Sequence, residues 1–239
     1  MKLSNLTELA NKYNCDKGTQ YGDKHGYTIV YESLFKPLKY KSIIFLELGL
    51  CIGGAEYGDN FINRIPDDMP SIKMWTEYFE KAHIYGFDLN DFSHLESNFK
   101  NFKFIQGDLS LKKDIYNLIT TTEKLENKEN LLIYDVILDD ASHASFHQQY
   151  AFSILFPYLK NDGIYIIEDL NWQSPNYEKK FPNLPKTFDI LMELKNIKNG
   201  LNSSLLNNYQ FKDSFMELIN DIKSIDFFNS NKLAIIRKV

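Results

Sequence analysis

An apolar run in the middle of the chain ends in two adjacent carboxylates, and a histidine follows three residues after the second. The stretch reads ILDDASH (137–143), so the three groups are Asp139, Asp140 and His143. A carboxylate at the end of a buried strand costs free energy unless a cation or a hydrogen-bond donor pairs with it. Taken alone, either acid could also cap a helix or lie in solvent. What these side chains face is therefore the question the sequence poses.

Other predicted strands also end in acids or glycines. At or near the carboxyl ends of these strands are Glu47, Gly49, Gly53 and Gly54 for the first, Asp88 for the second, Gly107 and Asp108 for the third, and Glu168 and Asp169 for the fifth. Each acid alone is explained by a helix cap or a solvated loop. Together they would concentrate negative charge at one edge of a sheet, where open α/β sheets bind ligands. Such a cluster requires a bound metal or a positively charged ligand.

The glycines narrow the choice of cofactor. Gly49, Gly53 and Gly54 do not match the Gly-x-Gly-x-x-Gly spacing of dinucleotide sites, and no Walker lysine with Ser/Thr is present. Glu-x-Gly after the first strand, with Asp88 ending the second, is similar to class I S-adenosylmethionine-dependent methyltransferases. From the position of Asp88, an acid commonly accepts hydrogen bonds from ribose hydroxyls.

Short apolar segments alternate with helical segments, which is typical of a parallel sheet covered by helices on both faces. The predicted strands are 43–48, 83–88, 102–107, 134–139, 163–169, 224–229 and 232–238. The predicted helices are 71–81, 110–123, 143–159, 185–198 and 211–222. The last two strands should form an antiparallel hairpin, and Ser142 is predicted to cap the helix that carries His143. We predict an α/β fold in a single domain, 1–239, with an N-terminal helical lid (1–40) and a Rossmann-like core (41–239).

Composition excludes several classes of protein. A net charge of −5, with lysines scattered among acids, lacks the basic footprint of a nucleic-acid-binding protein. The N-terminal stretch lacks the apolar core of a signal peptide, and no window is long enough to span a bilayer. Cys15 and Cys51 have no metal-ligand spacing, which favours free thiols in a reducing compartment, with one disulfide as the alternative. We therefore expect a soluble cytoplasmic protein without nucleic-acid or membrane partners.

Longer motifs carry a more specific resemblance. In chain order they are CDKGTQYGDKHGYTIVYESLF, LELGLCIGG, SIKMWTEYF, IYGFDL, ILDDASH and FSILFPYLKNDGIYIIEDL. Over roughly residues 8–172 the chain resembles the sugar O-methyltransferases of macrolide antibiotics and the related cephalosporin-hydroxylase-like and polysaccharide methyltransferases. The resemblance implies a Rossmann-like class I fold with a mostly parallel seven-stranded sheet, S-adenosylmethionine and Mg²⁺ as cofactors, and a sugar hydroxyl as acceptor. The stretch 173–222 is divergent, and acceptor specificity is expected there.

Residue by residue, the resemblance implies that Asp140, Glu168 and Asp169 bind Mg²⁺ and that His143 is the catalytic base. Ala141 stands where those enzymes commonly have Gly. Asp139 would face the cofactor or the strand-end backbone. The residues predicted to bind the cofactor are Lys17, Tyr27, Glu47, Gly49, Gly53, Asp88, Gly107, Asp108 and Asp139. For Lys17 the alternative is a simple ion pair with Asp16.

This assignment accounts for the chemistry. A divalent cation held by carboxylates can bind a sugar hydroxyl and stabilise the developing alkoxide, while a histidine accepts the proton. We favour a surface-polysaccharide or nucleotide-activated sugar as the acceptor. The rival interpretations are a metal-dependent hydroxylase, which lacks an evident two-His-one-carboxylate triad, and a non-catalytic sugar-binding module. The acceptor's identity and the oligomeric state stay open, a homo-oligomer included.

Overall fold

A computed structural model of the chain describes residues 5–51, 68–127, 132–201 and 204–239. The strands in this part of the chain are Ile44–Leu48 (β1), His83–Asp88 (β2), Phe102–Gln106 (β3), Tyr134–Asp139 (β4), Leu159–Ile167 (β5), Ile222–Phe228 (β6) and Leu233–Lys238 (β7). They form one sheet in the order β3-β2-β1-β4-β5-β7-β6. Strands β1 to β5 are parallel to one another, and β7 is antiparallel to both β5 and β6. The predicted mostly parallel seven-stranded sheet and its terminal hairpin are confirmed.

Helices cover both faces of this sheet. Those in the described residues are Leu6–Lys12 (α1), Tyr27–Phe35 (α2), Pro70–Tyr78 (α3), Ser93–Glu96 (α4), Lys112–Leu125 (α5), Ser145–Leu155 (α6), Pro175–Glu178 (α7), Thr187–Lys198 (α8) and Lys212–Leu218 (α9), with 3₁₀ turns at Phe156–Tyr158 and Leu205–Asn208. All five residues of β1 are buried, because helices lie on both sides of it. None of the described helices is long and apolar enough to cross a membrane.

The strand register brings the predicted site residues to one edge. Leu48 of β1 pairs with Phe87 of β2 and with Asp139 of β4, and Asp139 pairs with Ile167 of β5. Because these strands are parallel, their carboxyl ends lie side by side. The acids that follow them are therefore neighbours in space although they are far apart in sequence.

The N-terminal segment belongs to the core on one face of the sheet. Tyr27, Tyr31 and Phe35 of α2 are fully buried. The ring of Tyr31 lies 6.0 Å from that of Trp75, and the ring of Phe35 lies 5.8 Å from that of Phe45. The aromatic character of this segment thus serves packing as well as any contact with a ligand, and its motion as a lid stays a prediction.

The turn after β4 differs from the prediction. Helix α6 begins at Ser145 with Ala144 as its N-cap, so the prediction of Ser142 as the cap was wrong. His143 precedes the helix and has a left-handed backbone with φ of 56°. The Ser142 hydroxyl bonds instead to Nδ1 of His147, at 2.5 Å. The side chain that should have capped the helix is therefore engaged within the turn.

Strand β5 starts four residues earlier than predicted. Leu159 pairs with Tyr134, and the register then shifts between Tyr134 and Val136. Asp162 adopts a left-handed φ of 58° within this irregular stretch. The predicted strand begins at 163 because the polar residues KND (160–162) interrupt the apolar run, whereas the sheet accommodates them with a shift in register. Glu168 and Asp169 directly follow the strand's end.

Candidate active site

Two clefts open at the carboxyl edge of the sheet, and they share Cys51, Asp140 and Ala141. One, which we call the glycine cleft, contains about 560 Å³ of empty space, part of which is open solvent. Its lining includes Gly49, Asp88, Gly107, Asp108, Asp140, His147 and Tyr177. The other, the acidic cleft, contains about 580 Å³. Its lining includes Asp16, Lys17, Asp23, His25, Asp140, His143 and Asp169.

Gly49 lets the ends of β1 and β4 touch. Its φ is +83°, in the left-handed region, and a Cβ there would lie 2.3 Å from the carbonyl oxygen of Asp140. The Asp140 N–H donates to the Leu48 carbonyl at 2.9 Å next to this point. Any side chain at position 49 would separate the two strand ends, so the glycine permits the close backbone contact with Asp140.

The acids of the glycine cleft are held by backbone donors. The carboxylate of Asp88 accepts from the N–H groups of Leu50 at 2.9 Å and Asn90 at 2.8 Å. Burial raises the pKa of Asp88, and these hydrogen bonds oppose that effect. Asp108 accepts from the backbone and hydroxyl of Ser110. The structure brings Gly49, Asp88, Gly107 and Asp108 to one cleft, while Gly53 lies outside the described residues. Their roles in cofactor binding stay predictions.

Glu47 lies beneath the site rather than in either cleft lining. It is fully buried, and one oxygen accepts from the Ser71 hydroxyl at 2.9 Å and the Trp75 indole N–H at 3.1 Å. Burial raises the pKa of Glu47 to about 7, against the opposing effect of Lys17. Both donors belong to α3, so this carboxylate fixes α3 against β1.

Asp139 and Asp140 point to different environments. Asp139 is 1% exposed, and one of its oxygens accepts from the Ala141 N–H at 3.3 Å. Its other oxygen has no hydrogen-bond partner in the described part of the chain. Burial raises the pKa of Asp139 to about 7. This contact matches the strand-end alternative for Asp139, whereas Asp140 faces both clefts.

Lys17 places an ammonium group among the carboxylates. Its Nζ contacts Oδ2 of Asp140, lies 2.9 Å from Oε2 of Glu168, and lies 3.9 Å from Oε1 of Glu47. Burial alone would raise the pKa of Asp140, but the charges of Lys17 and His143 and the hydrogen bonds from Lys17 and Glu168 together outweigh it, and the pKa is lowered. For Lys17, these carboxylates likewise outweigh burial and raise its pKa. The lysine therefore pairs with strand-end acids, and the predicted contact with a cofactor carboxylate stays a prediction.

Two tyrosines of α2 bind the acids after β5. The hydroxyl of Tyr31 donates to Oε1 of Glu168, and that of Tyr27 donates to Oδ1 of Asp169. Burial first, and the adjacent carboxylates next, raise the pKa of both phenols, so each stays a proton donor. Burial and Asp140 raise the pKa of Glu168. The N-terminal segment thus contributes three side chains to this cluster.

Histidines flank Asp169 on both sides. Nδ1 of His25 lies 3.6 Å from Oδ1 of Asp169, and Nε2 of His143 lies 3.8 Å from Oδ2. The His143 ring lies edge-on to Trp172, with centroids 5.5 Å apart. His143 therefore faces the acidic cleft, as the resemblance implied, although it does so from a turn and not from a helix.

Asp140, His143 and Asp169 can approach a single ion. Ligand atoms of these three residues lie within 4.8 Å of one another, a grouping drawn from the described residues. Carboxylate oxygens are the ligands Mg²⁺ prefers, so the donor set fits a hard divalent cation. Glu168 is turned towards Lys17 and Tyr31 in this conformation. The predicted set of Asp140, Glu168 and Asp169 stays a prediction, and two of its members already share the cluster.

His147 was not assigned to a site by the sequence. It lines the glycine cleft, bonds to Ser142, and packs against the rings of Tyr177 at 4.9 Å and Phe181 at 4.6 Å. Burial lowers the pKa of His147 to about 4, so the imidazole is neutral near pH 7. The sequence feature that could have identified His147 as a site residue is its position one helical turn after the DDASH motif. The aromatic partners come from the divergent stretch and could not be paired with it in advance.

Solved structures share this architecture. MycE methyltransferase from the mycinamycin biosynthetic pathway, in complex with Mg and SAH, superposes with a TM-score of 0.70 at 21% identity over 99% of this chain and 55% of MycE. A second MycE structure, in complex with Mg, SAH and mycinamycin VI, gives a TM-score of 0.68. The predicted Rossmann-like class I methyltransferase fold is confirmed.

Curated relatives refine the likeness. The chain is 33% identical over 166 residues to 8-demethyl-8-alpha-L-rhamnosyl tetracenomycin-C 2'-O-methyltransferase of Streptomyces olivaceus, a match of 69% of this chain and 37% of the relative. It is 29% identical over 168 residues to mycinamicin VI 2''-O-methyltransferase of Micromonospora griseorubida, a match of 69% and 36%. The matched region thus spans little more than a third of each relative's length. No protein-family model matches the sequence. The resemblance to sugar O-methyltransferases predicted from the motifs is confirmed.

Proposed function

We propose that this protein is an S-adenosylmethionine-dependent, Mg²⁺-dependent methyltransferase that acts on a sugar hydroxyl. The observation that carries the proposal is the meeting of two clefts at Asp140 and Ala141. One cleft has the glycine and acid arrangement of a class I cofactor site, and the other has a carboxylate cluster beside a histidine. A methyl donor in the first and an acceptor hydroxyl in the second would meet at Asp140.

The glycine cleft is the cofactor site in this proposal. Asp88 would accept hydrogen bonds from the ribose, because its carboxylate is fixed by two backbone N–H groups and lines the cleft. Gly49 and Gly107 leave room for close approach of the cofactor to the backbone. His147, neutral near pH 7, and Tyr177 would provide an aromatic wall for the adenine. The co-crystallised SAH of MycE supports this choice of ligand.

The acidic cleft is the acceptor site. Asp140 and Asp169, with Glu168 after a change in its partners, would hold Mg²⁺ through carboxylate oxygens. Bound there, the ion would polarise an acceptor hydroxyl and stabilise its developing negative charge. The Mg of MycE supports the choice of metal. The N-terminal segment lines one side of this cleft with Asp16, Lys17 and His25.

His143 is the proposed base. As the sulfonium carbon–sulfur bond breaks and a carbon–oxygen bond forms, the hydroxyl proton would pass to Nε2 of His143. Asp169 lies 3.8 Å from that nitrogen and would stabilise the resulting imidazolium. The remaining products are the methyl ether and S-adenosylhomocysteine. A positioned base of this kind contributes roughly 10²–10⁴ to the rate.

The acceptor class is the least constrained part of the proposal. The named relatives methylate sugars of tetracenomycin and mycinamicin compounds. A surface polysaccharide or a nucleotide-activated sugar stays our working acceptor, although the relatives do not support it. A cytoplasmic location is retained as part of the proposal. The rival hydroxylase is disfavoured because the grouped ligands in the described chain are two carboxylates and one histidine, whereas iron oxygenases use two histidines and one carboxylate.

The proposal is tested by methyl transfer from isotopically labelled S-adenosylmethionine to a panel of acceptors. The panel contains α-L-rhamnosides, nucleotide-activated sugars and capsular oligosaccharides, each with and without Mg²⁺, and mass spectrometry detects the product. Asp140→Asn should abolish the product. Asp162→Asn, at an exposed acid paired with Lys223, is the matched control and should not. Absence of both product and S-adenosylhomocysteine binding would contradict the proposal.

A further inference from the structure

We propose that Lys17 is a resident cation of the metal site, whose ammonium group competes with Mg²⁺ for Asp140 and Glu168. The inference rests on the proposed function, because it takes those two acids as metal ligands. It adds that the N-terminal segment sets how tightly the metal binds.

The position of Lys17 is unusual for a lysine. It is 1% exposed, and lysines are almost never fully buried unless they are paired. Its ammonium contacts Asp140, lies 2.9 Å from Glu168 and lies 3.9 Å from Glu47. Asp140 and Glu168 directly follow β4 and β5, and Glu47 is the last but one residue of the adjacent strand β1. The ammonium group of Lys17 therefore lies among three carboxylates that come from three adjacent strands.

The same oxygens cannot serve both cations fully. Oε2 of Glu168 accepts from Lys17, and Oε1 accepts from Tyr31. Mg²⁺ needs a carboxylate oxygen at about 2.0–2.1 Å in near-octahedral geometry. A Glu168 oxygen that coordinated Mg²⁺ would share its lone pairs and negative charge between the metal and its bond to Lys17 or Tyr31. Metal binding and the lysine contacts are therefore opposed.

Lys17 cannot simply withdraw into solvent. Its carbonyl accepts from the Thr28 N–H at 3.1 Å, and the Gly26 N–H donates to the Gly18 carbonyl at 2.8 Å. These bonds tie the loop that carries Lys17 to the start of α2. The charge thus stays close to the carboxylates when a metal arrives, and two cations near the same acids repel each other. Without metal, the lysine offsets the repulsion among those acids.

Binding of Mn²⁺, used as a paramagnetic substitute for Mg²⁺, tests the proposal. The free Mn²⁺ signal in electron paramagnetic resonance gives the dissociation constant of the full chain with S-adenosylhomocysteine present. Lys17→Met should bind Mn²⁺ at least tenfold more tightly than wild type. Lys12→Met, at an exposed lysine paired with Glu77, is the matched control and should bind as wild type does. In thermal unfolding, Lys17→Met should be less stable than wild type without metal and should gain more on its addition.

Unchanged or weaker Mn²⁺ binding by Lys17→Met would overturn the proposal. If that variant folds only when Mg²⁺ is present, the metal has replaced the lysine and the proposal is supported. A second measurement needs no variant: the ammonium resonance of buried Lys17 in ¹H–¹⁵N NMR should shift as Mg²⁺ saturates the wild type. Lys238, which donates to the Pro157 carbonyl, gives the internal reference. An unshifted Lys17 resonance would also overturn the proposal, and a wild type that binds no divalent metal would overturn the proposed function as well.

Discussion

The contrast between Asp139 and Asp140 gives a prediction that separates a buried structural acid from a site acid. Asp139→Asn replaces the carboxyl by a neutral amide of nearly the same shape. The amide oxygen can keep the contact with the Ala141 N–H, which donates at 3.3 Å. The second oxygen of Asp139 lacks a hydrogen-bond partner in the described residues, so its negative charge is poorly compensated. We expect the substitution to stabilise the protein at alkaline pH.

The magnitude follows from the pKa. Burial raises the pKa of Asp139 from its ordinary 3.8 to about 7, so the folded state holds the proton more tightly than the unfolded state. The stability from this group is therefore complete below about pH 4 and is lost as the pH rises to about 7. At about 1.4 kcal/mol per pH unit, the loss is about 4 kcal/mol in total, of which about 2–3 kcal/mol falls between about pH 5 and about pH 8.

Thermal or urea unfolding at both pH values checks this. The advantage of Asp139→Asn over wild type should grow by about 2–3 kcal/mol between about pH 5 and about pH 8, or by about 4–12 °C in Tm for a chain of this size. Asp140→Asn is the matched variant and should lose metal binding. A difference in stability that does not change with pH, or that favours wild type at alkaline pH, would refute the reasoning. Strongly weakened S-adenosylhomocysteine binding would instead favour the cofactor role of Asp139.

Three further outcomes are expected. Asp88→Ala should weaken S-adenosylhomocysteine binding in calorimetry by about 1–3 kcal/mol through lost hydrogen bonds. The control Asp91→Ala, at an exposed neighbour, should not weaken it. Equal binding by both variants would show that Asp88 does not contact the ribose. Excess chelator should abolish methyl transfer and leave S-adenosylhomocysteine affinity intact, and full activity in chelator would exclude a metal from the mechanism. His143→Ala should lower the methyl-transfer rate by roughly 10²–10⁴ while Mn²⁺ binding survives; loss of Mn²⁺ affinity would make His143 a ligand instead.

The sheet was predictable because its strands are continuous apolar runs. Such runs, separated by helical segments, indicate parallel strands buried on both faces. The same logic placed Asp88, Asp139 and Glu168 at one edge, since parallel strands end together. The start of β5 was not predicted because three polar residues follow Leu159, and strand pairing at that point depends on Tyr134 rather than on local sequence.

The contacts that the N-terminal segment makes with the strand-end acids could not be predicted from the sequence. Lys17 meets Asp140 across 123 positions of chain, and Tyr31 meets Glu168 across 137. Composition could indicate only that the segment is rich in polar aromatics and charge. Which acid each side chain meets depends on how α2 packs against Trp75, a long-range arrangement that no local pattern encodes.

The turns after the strands determine the site's geometry. Gly49, His143 and Asp169 follow β1, β4 and β5, and all three have left-handed φ, of 83°, 56° and 53°. For the two residues with side chains this conformation costs of the order of 1–3 kcal/mol each, and it persists only where surrounding contacts fix it. Asp169 has such contacts, because Tyr27 donates to its carboxylate and the Trp172 N–H donates to its carbonyl at 3.0 Å. The periodicity of apolar residues predicts helices and strands, but it contains no signal for a single left-handed residue. The motif therefore identified His143 as a site residue, whereas the helix pattern wrongly placed it on the helix and not in the turn before it. His143 and Asp169 therefore lie 3.8 Å apart because the N-terminal segment and Trp172 hold two strained turns. We infer that the proposed base and Asp169 are positioned before any ligand binds, whereas Glu168 would still have to change its partners.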